Sequence, residues 1–233
     1  MNSGKKRLYE TTESRNRYLW EVLPDGAWKG KPCFIVGGGP SLETFPFEKL
    51  KGHRTIGVNL AFTKFIPTIA FSMDSRFLKW LETGQYGPAV TKRFEEMVSY
   101  RVMLETYPSN FPRLVFALPV FQNYSAGHWA MTYSMHEGLG HGNNSGYAAL
   151  NLAVCLQADP IYLLGFDMKH TESRTHWHDG HPKEQMKKHI ATFPKYFDWG
   201  AQKLKKAGIR VINLNYESGL TCFPKQAWQE VLI

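Results

Sequence analysis

The apolar run Cys33-Phe34-Ile35-Val36 passes without a break into Gly37-Gly38-Gly39-Pro40-Ser41-Leu42. A short continuous apolar run bounded by turn residues suits a strand covered on both faces, as in the middle of a parallel sheet. The glycines let the chain turn sharply and let a ligand come close, and Ser41 sits where a helix would begin, near its N-cap. A helix N-terminus offers unpaired N–H groups and partial positive charge. Gly37, Gly38, Gly39 and Ser41 are therefore expected to hold an anion, above all a nucleotide phosphate. The run matches neither common phosphate fingerprint: the third glycine of the dinucleotide motif falls at Leu42, and no Gly-Lys-Ser/Thr follows.

Similar runs recur along the chain. Residues 54–58 read as a strand ending in Asn59 and residues 68–73 as a strand ending in Asp74, with helical patterns at 42–50 and 75–83. This β-α-β-α-β order predicts a parallel sheet. Further strands are expected at 101–104 and 113–117, a buried helix at 145–158, and a central strand at 160–166. An amphipathic stretch at 183–206 should be divided or kinked at Pro194, stop at Gly208 and lead into a last strand at 209–214. Residues 121–144, rich in Gly, His, Tyr and Met with no period, read as a lid or irregular insertion. The expected class is α/β: a variant Rossmann-like, mostly parallel sheet with helices on both faces. Residues 1–30 form a polar arm, whose aromatic part at 19–28 packs back onto one catalytic domain at 31–233.

The chain has 233 residues, and its 43% hydrophobic content is that of an ordinary globular protein. No apolar run approaches the ~20 residues that span a bilayer, and residues 1–17 lack a signal-peptide core, so a cytoplasmic location is expected. Cys33, Cys155 and Cys222 are too few and too scattered for a disulfide framework and read as buried thiols. The net charge of +8 gathers at 5–7, 183–188 and 203–206. It permits a polyanionic acceptor, although each cluster alone also suits a solvated helix face or tail.

In an open parallel sheet, ligands lie at the carboxyl ends of the strands. Those ends carry Gly37-Gly38-Gly39, Asn59, Asp74, Gly165-Phe166-Asp167 and Asn213-Leu214-Asn215, which together read as a nucleotide crevice. A second cluster, His176-Trp177-His178-Asp179-Gly180-His181, supports three readings. In order, these are a general base on a loop, a polar surface loop, and a zinc or iron site.

Gly-Gly-Gly-Pro-Ser-Leu at 37–42, Val58-Asn59, Asn144-Ser145-Gly146, the run 161–167, Gly180-His181 and Ile212-Asn213-Leu214 come in a telling order. In these residues the chain resembles bacterial lipooligosaccharide sialyltransferases. It also resembles a related family that includes archaeal 6-hydroxymethylpterin diphosphokinase, and most of all the phage and prophage proteins of that family. The resemblance spans residues 33–224 and implies a GT-A-type Rossmann-like fold. It places Gly38, Ser41 and Asn59 on the nucleotide, Ser145 and Gly146 on the nucleotide or its phosphate, and His181 as the base for the acceptor hydroxyl. Where those enzymes carry a tyrosine pair for the departing phosphate, this chain has Lys169 and the segment 171–175, in which Arg174 stands. Lys169 and Asp167 are thus the further catalytic candidates.

Asp74 replaces an asparagine of the sialyltransferases, which suggests a ribose hydroxyl or a divalent metal. The implied function is glycosyl transfer from a nucleotide or nucleotide-sugar donor without a required cofactor, with a hydroxymethylated base of phage DNA as one acceptor. A phage-encoded protein would act in the host cytoplasm. The alternatives are pyrophosphoryl transfer from ATP with Mg2+ on Asp74 or Asp167, and a nucleotide-binding module without catalysis.

Overall fold

Residues 16–74, 76–106, 111–122, 127–168 and 193–233 are described by a computed structural model. Seven strands among them form one all-parallel sheet: β1 (Cys33–Val36), β2 (Arg54–Val58), β3 (Ile69–Ser72), β4 (Tyr100–Glu105), β5 (Val115–Pro119), β6 (Ile161–Leu164) and β7 (Val211–Asn213). The order is β5-β4-β3-β2-β1-β6-β7, so the chain winds outward from β1 in one direction and later resumes at β6 on its other side. The register Cys33↔Arg54 on one flank and Cys33↔Ile161 on the other makes β1 the central seam.

Alternation along β1 explains its unbroken apolar sequence. Cys33 and Ile35 face a core shared with the helices α3 (Ser145–Cys155) and α4 (Phe193–Lys206). Phe34 and Val36 face a second core with Leu42, Phe45 and Leu50. The helices α1 (Arg76–Glu82) and α2 (Pro88–Glu96) close a third, around Phe62, Phe77 and Phe94. A strand buried on both faces has no position that tolerates a polar side chain. Helix α3 is buried at every residue after Ser145, as its all-round apolar sequence requires.

One polar residue in α3 organises the segment ahead of it. Asn151 is fully buried; its Oδ1 accepts from the N–H groups of Gly140 (2.8 Å) and Thr132 (3.2 Å), and its Nδ2 donates to the Thr132 carbonyl (2.8 Å). Ala130, Met131, Met135 and Leu139 are buried. The described part of the insertion is therefore irregular, as expected, but it is packed into the core and does not stand off as a lid.

The helix expected at 42–50 is replaced by two 3₁₀ turns, Pro40–Leu42 and Phe47–Leu50. Pro46 breaks the pattern, since a proline disfavours α geometry at the residue before it. Helix α2 was not anticipated, and Pro194 sits in the first described turn of α4 instead of dividing a longer helix. The helix stop at Gly208 has φ +73°. Cys33 and Cys155 are buried and Cys222 half-buried; burial pushes the Cys155 and Cys222 thiols up to about 12. Among the described residues no helix is long and apolar enough to cross a membrane.

Candidate functional site

Most donors of the glycine turn after β1 are taken by the chain itself, the Gly38 N–H having no acceptor among the described residues. Gly37 N–H donates to the Leu164 carbonyl (2.8 Å), Gly39 N–H to the Gly165 carbonyl (2.9 Å) and Leu42 N–H to the Gly39 carbonyl (3.1 Å). Pro40 has no N–H, and Ser41 gives both its N–H (2.8 Å) and its hydroxyl (2.5 Å) to the Asp167 carboxylate. A side-chain anion from the end of β6 thus stands where a phosphate was expected. Gly39, not Ser41, is the N-cap of the 3₁₀ turn. A Cβ at Gly39 would lie 2.5 Å from Asp167 Cγ and 2.6 Å from the Gly165 carbonyl. Glycine is required there by the neighbouring loop. Of the three glycines, only Gly38 is half-exposed.

Asp167 joins three strand ends. Besides Ser41 it accepts from Asn215 Nδ2 (2.8 Å), beyond β7, and its own carbonyl accepts from Gly219 N–H (2.7 Å). This geometry suits positioning: its carboxylate accepts three hydrogen bonds from protein donors, two at Oδ1 and one at Oδ2. Asn213 is fully buried, and neither polar atom of its amide has a partner among the described residues.

Asn59, Asp74, Ser145 and Gly146 do come together. Asn59 follows β2 with φ +53°, a conformation that asparagine tolerates, and its Oδ1 accepts from Ser72 Oγ at the end of β3 (2.8 Å). Ser72 Oγ in turn accepts from Asp74 N–H (3.2 Å), and Ser145 Oγ accepts from Met73 N–H (3.4 Å). The carboxyl ends of β2 and β3 therefore abut the first turn of α3. There Asn144 is the N-cap, accepting from Tyr147 N–H (3.0 Å). The N–H groups of Ser145 and Gly146 have no protein acceptor among the described residues and mark the positive pole of α3. A Cβ on Gly146 would meet the Phe166 ring at 2.7 Å, so this first turn is packed tightly beneath the end of β6.

The Asp74 carboxylate is held by Arg76, through Nε (3.0 Å) and Nη2 (2.9 Å), and Arg76 lies over the Trp80 ring. Among the described residues no three His, Cys, Asp or Glu side chains gather as metal ligands. Lys169, Arg174, His176, His178 and His181 lie outside the described residues. Sequence reasoning missed Ser72; it had Asn215 only within the strand-end set and Asn144 only within the motif at 144–146, without the roles they take here. Asn144 carried a readable signal, a capping residue directly before an apolar helical run.

The fold and this crevice define an all-parallel α/β protein of Rossmann-like class, open at the carboxyl edge. Two solved structures share the fold. One is the MAf glycosyltransferase from Magnetospirillum magneticum AMB-1, at TM-score 0.59 and 13% identity, covering 88% of this chain and 35% of that one. The other is the sialyltransferase CstII from Campylobacter jejuni in complex with a substrate analogue, cytidine-5'-monophosphate, at TM-score 0.50 and 16% identity, covering 85% and 86%. The chain thus spans about a third of the length of MAf. No family model and no curated protein matches the sequence.

Proposed function

We propose that this protein is a nucleotide-sugar-dependent glycosyltransferase. The reading is carried by the N–H pair of Ser145 and Gly146, without an acceptor among the described residues, at the N-terminus of a buried helix beside the ends of β2 and β3. It is supported by a fold shared with two glycosyltransferases, one of them holding a cytidine nucleotide. The donor phosphate would take the two N–H groups, and Asn59 the nucleoside. His181 would accept the proton of the acceptor hydroxyl as that oxygen bonds to the sugar anomeric carbon. The carbon–oxygen bond to phosphate breaks, and its electron pair leaves with the nucleotide, whose charge Lys169 would offset.

The arrangement of acids favours transfer over the ATP-dependent diphosphokinase reading. Asp74 is tied to Arg76, and Asp167 to Ser41 and Asn215, so Mg2+ would have to displace built contacts at either one. Of the basic clusters, Lys203, Lys205 and Lys206 fall in the last turn of α4, where cations offset the helix dipole, so they add no support for a DNA acceptor.

A thermal-shift panel of CMP, UMP, UDP, GDP, ATP and the corresponding nucleotide sugars, with and without Mg2+, tests this reading. A ligand at 100 times its Kd adds about 2.7 kcal/mol, an unfolding shift of several degrees. A metal-independent shift by one nucleotide family and its sugar is expected. A shift by ATP only with Mg2+ would favour the diphosphokinase, and no shift by any nucleotide would refute a nucleotide site.

A further inference from the structure

Next to the N-terminus of α3 lies an aromatic surface that the donor site leaves unused. His128, Trp129, Tyr196 and Trp199 form a continuous set of ring contacts. Centroids lie 4.9 Å apart for His128–Trp129, 5.4 Å for His128–Tyr196, 5.7 Å for Tyr196–Trp199 and 4.6 Å for Trp129–Trp199. His141 adds a fifth ring 5.0 Å from His128. All five residues are half-buried, and within the set His128 Nε2 is buried without a partner among the described residues.

The surface is built from below. Tyr147 Oη, on α3, donates to the Trp129 carbonyl (2.5 Å); Asn144 N–H donates to the His141 carbonyl (2.8 Å), and His141 N–H to the His128 carbonyl (2.7 Å). Gly142 has φ +49°, and a Cβ there would stand 2.8 Å from Tyr196 Cβ, so only glycine lets this loop close on α4. The same Asn144 that caps α3 therefore fixes the edge of the aromatic surface.

Lys195, 4.8 Å over the Trp199 ring, has Asp198 one turn along the helix. His141 Nδ1 accepts from Asn143 N–H (3.1 Å), which assigns the ring proton to Nε2. Burial, with His128 beside it, holds the His141 pKa down at about 4, so at neutral pH the ring is an uncharged donor. Among the described residues of α4, the charged side chains within one turn of Trp199 are Lys195, Asp198 and Lys203.

We propose that this surface is the acceptor subsite and binds a neutral sugar ring of a saccharide, stacked by its C–H face on Trp199 and Trp129. Aromatic faces attract the weakly positive C–H face of a pyranose, and nearby N–H and O–H groups bond its hydroxyls. A nucleic-acid strand would need cations along its phosphates. Among the described residues Lys195 and Lys203, each four residues from Trp199 on the same face of α4, are the cations beside it, too few to track a phosphate backbone. The role as acceptor rests on the glycosyltransferase reading; the choice of a sugar also rests on the surface itself.

The test uses the whole protein without donor. Wild type is screened on an array of neutral and sialylated oligosaccharides and with oligo(dT), and hits are titrated by saturation-transfer NMR. Binding to neutral oligosaccharides is expected. Trp199→Ala should weaken it roughly tenfold or more and Trp199→Phe only about threefold or less, with unfolding temperature and nucleotide affinity unchanged. Trp199 lies outside the buried cores, so both variants should fold. Absence of any oligosaccharide binding by wild type, full binding by Trp199→Ala, or Trp199-dependent binding of oligo(dT) alone would each overturn the proposal. If nucleotides fail to bind while oligosaccharide binding depends on Trp199, the donor reading falls and the sugar site stands.

Discussion

Replacing Asp167 by alanine separates a positioning role from a catalytic one. The substitution removes three hydrogen bonds to a carboxylate, from Ser41 N–H (2.8 Å), Ser41 Oγ (2.5 Å) and Asn215 Nδ2 (2.8 Å). Fully desolvated bonds of this kind contribute ~1.5–3 kcal/mol each, but Ser41 is exposed and Asp167 and Asn215 are half-buried, so water can replace part of what is lost. About 1 kcal/mol each is a fair value, for a total of about 2–3 kcal/mol. For a chain of this size that corresponds to roughly 5–10 °C in Tm. Circular dichroism melts of wild type, Asp167→Ala, Ser41→Ala and the double variant would read both the loss and the coupling. The Ser41–Asp167 coupling should be about 1 kcal/mol, since the cycle reads the hydroxyl bond alone and the backbone N–H bond survives in Ser41→Ala. A melt unchanged within a degree, together with lost turnover, would refute the positioning argument and return Asp167 to the catalytic role that its sequence position suggested.

Three further outcomes are expected. Asn151→Leu should cost about 3–4 kcal/mol, because it strands the buried N–H groups of Gly140 and Thr132; a chemical-denaturation midpoint close to wild type would contradict this. Gly146→Ala should impair nucleotide binding, and stability by about 1–3 kcal/mol, because the new methyl group meets Phe166; thermal shift with the nucleotide found above measures both. For His141 the folded pKa lies at about 4, below its ordinary 6.5, so between those values the unfolded chain binds more protons. Stability is kept above the unfolded pKa and lost as pH falls through about 4. Partial solvent exposure limits this loss to about 1–2 kcal/mol. His141→Gln should flatten that part of the profile in denaturation from about pH 7.5 to about pH 4.5, and identical slopes would argue against it.

The central sheet was legible because burial on both faces leaves only one kind of sequence. Strands β1 and β2 fall on the expected residues, and α3 on all but the last three of its expected span. Local backbone rules were legible too but went unread: Pro46 argued against a helix at 42–50, and Gly87-Pro88 marked the start of α2. What no local pattern encodes is a contact between distant residues. Ser41 and Asp167 lie 126 positions apart, so the glycine turn read as an open anion cradle when its acceptor was already part of the chain. The aromatic surface was hidden for the same reason. His128 and Trp129 sit in a segment without period, and only folding brings Tyr196 and Trp199 against them.

The two ends of α3 are treated in opposite ways. At its carboxyl end the N-terminal arm folds across the helix, and the N–H groups of Gly26, Trp28 and Gly30 bond the carbonyls of Cys155 (2.9 Å), Leu156 (2.9 Å) and Gln157 (3.1 Å). The arm thus serves as a long-distance anchor for the pole of the helix that faces the crevice. A shortened protein beginning at β1 would keep every residue of the crevice and still expose those three carbonyls. It would leave the helix free to fray from its far end, and ligand affinity would become a readout of the arm.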